Sequence, residues 1–431
     1  MNDQDVNDVA FMVEPGGRRL LRGGRPTFLL ADTCWAAFGR VSAAEWDGYL
    51  RHRHRQGFNA VAISMLPIAH DQSISPGAPA PFVVRADSSW DLDRPDDAWF
   101  QRARTMSQTA LRHGIVPVIV VLWCTYVPGT WAAKRAPGLD LTPEQTDHYV
   151  DALLGAVGDL PVILCVSGDD HFTDDLAIDR YVRVLDRIQS ARPERLTTIH
   201  SSPTHETPAQ LLGHPGLGFY TYQSSHGPDG HEVAQRLAGR YRALPVRRPI
   251  LDIEPCYEGH ASDRGTGRHL AASVRRSSWT GVLSGAGAGL GYGAHGVWSW
   301  HRTGDQFLNV AGAGLPFPAE VAMQFPGAWD VGLIRRIVET HELFDLTSRP
   351  DLLVDEPRGT RVGMDEPGGR LAIYLPEPST ITLSVDLTGW SAEGWNLSDR
   401  WIEAVGWEAS DGQTTIRQPD ALSDLLIVFS R

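Results

Sequence analysis

The chain lacks what would tie it to an anionic polymer, a membrane or an oxidising compartment. Lys and Arg total 39 against 52 Asp and Glu, a net charge of −13, which disfavours the phosphate-neutralising surface that nucleic-acid binding needs. No uninterrupted apolar run reaches spanning length, and Met1 to Asp8 is polar and acidic, without the basic and apolar regions of a leader. The expectation is a cytoplasmic protein with neither nucleic acid nor membrane as a partner. There are four Cys, at positions 34, 124, 165 and 256, with no C-x-x-C spacing. That indicates neither a zinc site nor a disulfide framework, and each lies in or just after a predicted strand, where a small buried hydrophobe fits. No low-complexity tract is present.

What is there is enough for a large core and more than one folding unit. With 431 residues and a 42% hydrophobic share, the chain can hold an eight-fold α/β barrel, which uses about 250 residues, and a smaller domain besides. Predicted strands cover Pro26 to Trp35, Phe58 to Leu66, Ile115 to Trp123, Val162 to Val166, Leu196 to His200, Leu217 to Tyr222, Pro249 to Ile253 and Gly289 to Trp300. Helical patterns lie between most of them. Ser42 with Glu45 makes a capping box for a helix to Gln56, Asp97 to His113 forms the next, and Thr142 caps a third with Pro143 at its first position. Leu176 to Ser190, Glu232 to Ala243 and Ser273 to Leu283 follow. Strands alternating with helices of this length imply parallel pairing with right-handed crossovers, and eight strands imply closure into a (β/α)₈ TIM barrel over residues 1–343. Beyond it, short alternating strands at Leu371 to Leu375, Ile381 to Leu387 and Asp424 to Phe429, separated by Pro and Gly turns, predict a small antiparallel β-sandwich over 344–431 that packs on the barrel.

Two stretches organise the candidate chemistry. In Arg248-Pro-Ile-Leu-Asp-Ile-Glu-Pro-Cys-Tyr-Glu-Gly259 an apolar run delivers Glu254 to a strand end that Pro255 terminates; Leu160-Pro-Val-Ile-Leu-Cys-Val-Ser-Gly-Asp-Asp-His171 does the same for Asp169 and Asp170. Only residues at strand C-terminal ends share a barrel's mouth. That rule gathers Asp32, Trp35, His70, Trp123, Tyr126, Asp169, Asp170, His171, His200, Tyr222, Gln223, His226, Glu254, Tyr257, Glu258, Trp298, Trp300 and His301. Carboxylates, imidazoles and aromatics dominate while Lys and Arg are nearly absent, which favours a neutral polyhydroxylated ligand over a phosphorylated one. Flat amphipathic rings, among 14 Trp, suit stacking on sugar faces. Glycoside hydrolysis needs two carboxyls across the scissile bond, one protonated and one ionised. Asp169 or Asp170 on strand four and Glu254 on strand seven, with Glu258 or Asp252 as substitutes, supply such a pair. If Glu254 points into the mouth, strand parity puts Asp252 on the same face one layer deeper.

The order of Leu30-Ala-Asp-Thr-Cys-Trp35, Tyr49-Leu50, Arg55-Gln-Gly-Phe-Asn59, Ser167-Gly-Asp169, Glu254-Pro-Cys-Tyr-Glu258, Gly291-Tyr-Gly-Ala294 and Val297-Trp298 resembles the apiosidase-like glycoside hydrolases. The resemblance implies a retaining (β/α)₈ enzyme with a small C-terminal β-domain, Asp169 as general acid/base and Glu254 as nucleophile. A carbohydrate is the expected partner, no cofactor or metal is required, and a homo-oligomer is left open. Two other classes stand beside this reading: a divalent-metal barrel hydrolase built on Asp169, Asp170, His171, His200 and His226, though without the usual His-x-His, and a non-catalytic carbohydrate-binding barrel.

Overall fold

The computed structural model describes residues 9–69, 71, 80–262, 267–310, 312–355, 357–418 and 423–431. Eight parallel strands form the central sheet: β1 (Leu29–Thr33), β2 (Ala60–Ser64), β3 (Val116–Trp123), β4 (Ile163–Gly168), β5 (Thr197–Thr198), β6 (Tyr220–Tyr222), β7 (Ile250–Asp252) and β8 (Gly289–Tyr292). Their order is β5-β4-β3-β2-β1-β8-β7-β6. The two end strands meet through Gly218 N–H and Phe219 N–H, which donate to Thr197 O at 3.0 and 3.3 Å, so the sheet closes into the expected barrel. β3 is buried along its whole length, as a parallel strand covered on both faces must be.

The crossover helices are α1 (Ala43–Arg55), α2 (Asp97–Arg112), α3 (Pro143–Val157), α4 (Asp175–Ala191), a single turn α5 (Ala209–Leu212), α6 (Gly230–Arg242), α7 (Ala271–Leu283) and α8 (Gly327–His341). The predicted capping boxes of α1 and α3 are both formed, satisfying N–H groups that the first turn leaves without partners. α8 has no counterpart in the sequence reading. Its interior Gly332 hides it from propensity, yet the helix needs that glycine: a Cβ there would lie 1.9 Å from Gln56 O at the end of α1. A three-stranded antiparallel sheet (Phe11–Val13, Leu20–Arg22, Arg25–Pro26) and a hairpin (Phe82–Val84, Trp90–Pro95) were likewise not anticipated. All four Cys are buried free thiols. Among the described residues no helix is long and apolar enough to cross a membrane.

The C-terminal region is two antiparallel sheets. In chain order its strands are β9 (Leu346–Ser348), β10 (Arg361–Asp365), β11 (Arg370–Leu375), β12 (Ile381–Leu383), β13 (Ser391–Asn396), β14 (Trp401–Glu403), β15 (Trp407–Ser410), β16 (Gln413–Ile416) and β17 (Leu425–Ser430). They pair as β9-β10-β11-β17-β13-β14 and β12-β16-β15. Strand parity divides the larger sheet between two cores. Leu371, Ile373, Leu375, Leu425, Ile427 and Phe429 pack with Ile381, Leu383 and Ile416 of the small sheet. Ala372, Tyr374, Leu426 and Val428 on the other face belong to the barrel's own core. Arg275 of α7 anchors that face, donating from Nε and Nη2 to Asp424 and from Nη1 to Asp330 of α8.

Candidate active site

β4 and β7 each stop abruptly. At the end of β4, Gly168 passes under the Trp123 indole, where a Cβ would come within 2.5 Å of the ring. The next residue, Asp169, takes the left-handed region at φ +55°, a conformation that short polar Asp tolerates better than bulkier residues. This turn separates the two neighbouring carboxyls. Asp169 lines a pocket of about 970 Å³ at the C-terminal ends of the strands. Asp170 turns behind it, accepting Phe172 N–H at 3.3 Å beside the Tyr181 hydroxyl of α4.

Glu254 faces the same pocket from beyond β7, and its carboxylate is held by neutral donors. Gln223 Nε2 and His226 Nε2 donate to Oε1 at 2.9 and 3.0 Å, and the Tyr257 hydroxyl also bonds the carboxyl. The tautomers follow from the bonds. His226 Nδ1 accepts Tyr257 N–H at 3.2 Å, so its proton is on Nε2, facing Glu254. Burial, with His269 alongside, pulls the His226 pKa down to about 3, so it donates as a neutral imidazole. His200 Nε2 lies 3.1 Å from Gln223 Oε1 and 3.4 Å from Glu254 Oε2. Trp35 completes the wall: its Nε1 donates to the Tyr257 hydroxyl at 3.2 Å, and its ring stacks on His200 and meets Trp123 edge-on.

The two carboxyls therefore have different environments. Burial, the Glu254 charge and then those of Asp71 and Asp170 push Asp169 well above the usual carboxylate range. Among the described residues its carboxyl oxygens take no hydrogen bond. Burial also raises Glu254, but His200 and the Tyr257 hydroxyl oppose that rise. Both carboxyls are raised, Asp169 the more strongly, and unequal environments of this kind are what two-carboxylate chemistry uses.

Of the residues expected at the mouth, the structure brings Trp35, Trp123, Asp169, His171, Gln223, His226, Glu254, Tyr257 and Trp298 to this pocket, and His200 stacks on Trp35 within 3.4 Å of Glu254. Seven others it places elsewhere, His301 against Phe307 among them. Asp32 accepts from Tyr49 Oη and Arg53 Nε, both at 2.6 Å, inside the helix layer. Tyr126 donates to Pro67 O at 2.6 Å. Asp170 lies behind Asp169 as described. Tyr222 packs against Tyr241 of α6. Glu258 accepts from Tyr292 Oη at 2.7 Å and from Gly327 N–H, the start of α8, at 2.9 Å. Trp300 sits edge-on to Tyr49, its Nε1 directed at Glu45. β8 ends at Tyr292, not Trp300, so Trp298 and Trp300 come from successive turns and do not share a strand face. His70 lies outside the described residues.

Asp252 also corrects the parity expectation. β7 ends at Asp252, and the chain turns before Glu254. Asp252 is in register with Tyr222 and faces α7 at Gly281. There it accepts N–H groups of Ser224 and Glu254, a positioning bond for the turn that carries Glu254. Burial raises its pKa to about 7. A carboxyl whose folded pKa exceeds its unfolded one stabilises while both states are protonated, and that contribution is lost as pH climbs from the ordinary Asp range through about 7. Asp252→Asn is thus expected to narrow the fall in melting temperature between pH 5 and pH 8; an unchanged slope would show that Asp252 is not the titrating group.

Sequence reading missed Asp71, His260 and His295. Asp71 is a buried pocket carboxyl one residue past His70. The ring of His260 stacks on His226, and His295 accepts Trp298 Nε1–H at 3.0 Å while its Nε2 faces Gly314 O. Among the described residues no three His, Cys, Asp or Glu side chains group as a metal site.

The Apiosidase-like catalytic domain family matches residues 14–345. No curated protein matches the chain. In solved structures, a glycoside hydrolase superposes with a TM-score of 0.79 at 17% identity, covering 98% of this chain and 96% of its own. A family 5 glycoside hydrolase from Bacteroides vulgatus gives 0.80 at 18% identity, with 98% and 93% covered. A family 5 mannosidase from Rhizomucor miehei gives 0.51 at 11%, with 78% and 99% covered. At these identities the likeness to the solved structures is one of fold.

Proposed function

The chain belongs to the apiosidase-like glycoside hydrolases, and we propose that it cleaves a small glycoside or plant-derived oligosaccharide with retention of anomeric configuration. Glu254 attacks the anomeric carbon while Asp169 protonates the leaving oxygen; Asp169 then takes a proton from the water that hydrolyses the glycosyl-enzyme. The observation that carries this reading is the unequal pair: one half-buried carboxyl that takes no hydrogen bond among the described residues and has two acidic neighbours, facing another held by Gln223, His226 and Tyr257. Trp35, Trp123 and Trp298 supply flat faces around the pair, and the neutral imidazoles of His226 and His260 line the same pocket, an environment suited to an uncharged sugar. The partner we propose is therefore a carbohydrate.

The test is a panel of aryl glycosides, including apioside, arabinofuranoside, xyloside and glucoside, with the first-formed anomer read by proton NMR. Retention supports double displacement; inversion would sink it. The pH dependence has a defined sign. Below the Glu254 pKa the nucleophile is protonated, and above the Asp169 pKa the acid is lost, so kcat/KM is bell-shaped. Because both pKa values are raised, the bell is expected at higher pH than carboxyls in water would give. A profile centred near pH 4 would contradict the described environments.

A further inference from the structure

Three rings run in series along the wall beside Asp169. Trp131 donates from Nε1 to Asp169 O at 2.9 Å, which ties this wall to the backbone of the acid itself. Its indole stacks on His171 with centroids 5.8 Å apart and planes at 21°. His171 in turn stacks on His205 at 4.2 Å and 8°, and His205 is fixed by Ser202 and Pro203 O. With Trp131 and His205 both stacked against His171, its two ring nitrogens are the polar groups that it brings to the pocket edge. Among the described residues no hydrogen bond reaches either ring nitrogen of His171, although the residue lines the cavity. Burial and the neighbouring His205 lower its pKa, so at neutral pH the edge carries one donor and one acceptor.

The position of this edge follows from the chemistry. An acid that protonates the leaving oxygen stands next to the departing group, so the wall that continues from Asp169 borders that group. At about 970 Å³ the pocket is at the upper end of small-ligand sites, about 300–1,000 Å³, which leaves room for more than the sugar that bonds to Glu254. Resting on the proposed function above, we infer that His171 is the hydrogen-bonding residue of a leaving-group subsite, and that the leaving group is a polyhydroxylated sugar and not a plain aryl or alkyl alcohol. The ring of His171 is already stacked with Trp131 and His205 and has little face left for a flat aromatic group, whereas a sugar hydroxyl can use its two nitrogens as donor and acceptor together.

Two leaving groups with equal need for an acid separate this role from an effect on Asp169. On the glycosyl group that the panel identifies, a disaccharide and a benzyl glycoside both leave as alkoxides that must be protonated, but only the disaccharide carries further hydroxyls. His171→Ala is expected to lower kcat/KM at least tenfold on the disaccharide and less than twofold on the benzyl glycoside, and His171→Asn to recover part of the loss. Equal losses on both would mean that His171 acts through Asp169, and no loss on either would remove it from the subsite; each overturns the inference. A second readout needs no turnover. In the ¹⁵N-histidine spectrum, the ring signals that vanish in His171→Asn should shift when glucose, galactose, xylose or rhamnose is added at millimolar concentration, and should not shift with benzyl alcohol. The reverse response, or none to any of them, also overturns it. Failure of the catalytic reading is distinguishable, because it would show as turnover surviving in Glu254→Gln.

Discussion

Glu254→Gln is expected to reduce turnover by on the order of 10⁴-fold or more, since it removes the nucleophile of a reaction whose other parts cannot replace it. The fold should survive. The Gln carbonyl can still accept from Gln223 Nε2 and His226 Nε2, which hold the native carboxylate at 2.9 and 3.0 Å. The substitution also removes a buried charge. Asp169→Asn should behave differently. On an activated aryl glycoside, whose leaving group needs little protonation, the first step persists while the second, deprived of its base, slows by about 10²–10⁴. The glycosyl-enzyme then accumulates, giving a burst of aryl alcohol followed by slow turnover, and azide should restore the second step and leave as a glycosyl azide. Full activity in Glu254→Gln, or steady turnover without a burst in Asp169→Asn, would return the chemistry to other residues of the pocket.

The largest expected loss of stability is at Asp32. Its carboxylate and the Arg53 guanidinium are each about 1% exposed and joined at 2.6 Å, and Arg53 lies over the rings of Tyr49, Phe58 and Tyr292. Removing one member of a buried pair leaves the other charge with neither water nor counter-ion, a cost of about 3–5 kcal/mol. Asp32→Ala should therefore lower the denaturation midpoint strongly while leaving KM of the folded fraction unchanged. Asp32→Ala in the Arg53→Met background should cost less than the sum of the two single changes, because the second change removes the stranded cation. A raised KM at unchanged stability would instead make Asp32 a ligand for sugar.

The same residue shows where sequence stops informing. The barrel was legible because its strands are buried apolar runs and its helices carry capping boxes at Ser42 and Thr142, signals that are local and periodic. Asp169 and Glu254 were legible because Gly168 and Pro255 mark where a strand must stop. The direction of a side chain near a strand end was not legible. Asp32 pairs in register with Tyr292 and Tyr222 with Asp252; Asp32, Tyr222 and Asp252 all face the helix layer, because β1, β6 and β7 are still regular at these positions. One to three residues further on, after the strand has ended, Trp35, Gln223 and Glu254 face the pocket. The apolar pattern does not say at which residue regular pairing ends, and a shift of one residue exchanges pocket for helix layer. α8 escaped for a different reason: its glycines at 327 and 332 answer to tertiary neighbours, Glu258 and Gln56, which no local pattern records.

The sheet that serves two cores has a consequence for how the molecule comes apart. Because β11 and β17 contribute alternate side chains to the barrel core and to the sandwich core, neither can melt without opening the other. Thermal denaturation should then appear in a calorimeter as one endotherm, with calorimetric and van't Hoff enthalpies in agreement. A gene cut near residue 344 would yield a barrel with α7 stripped of its cover, a sticky fragment prone to chaperone capture and not a minimal enzyme.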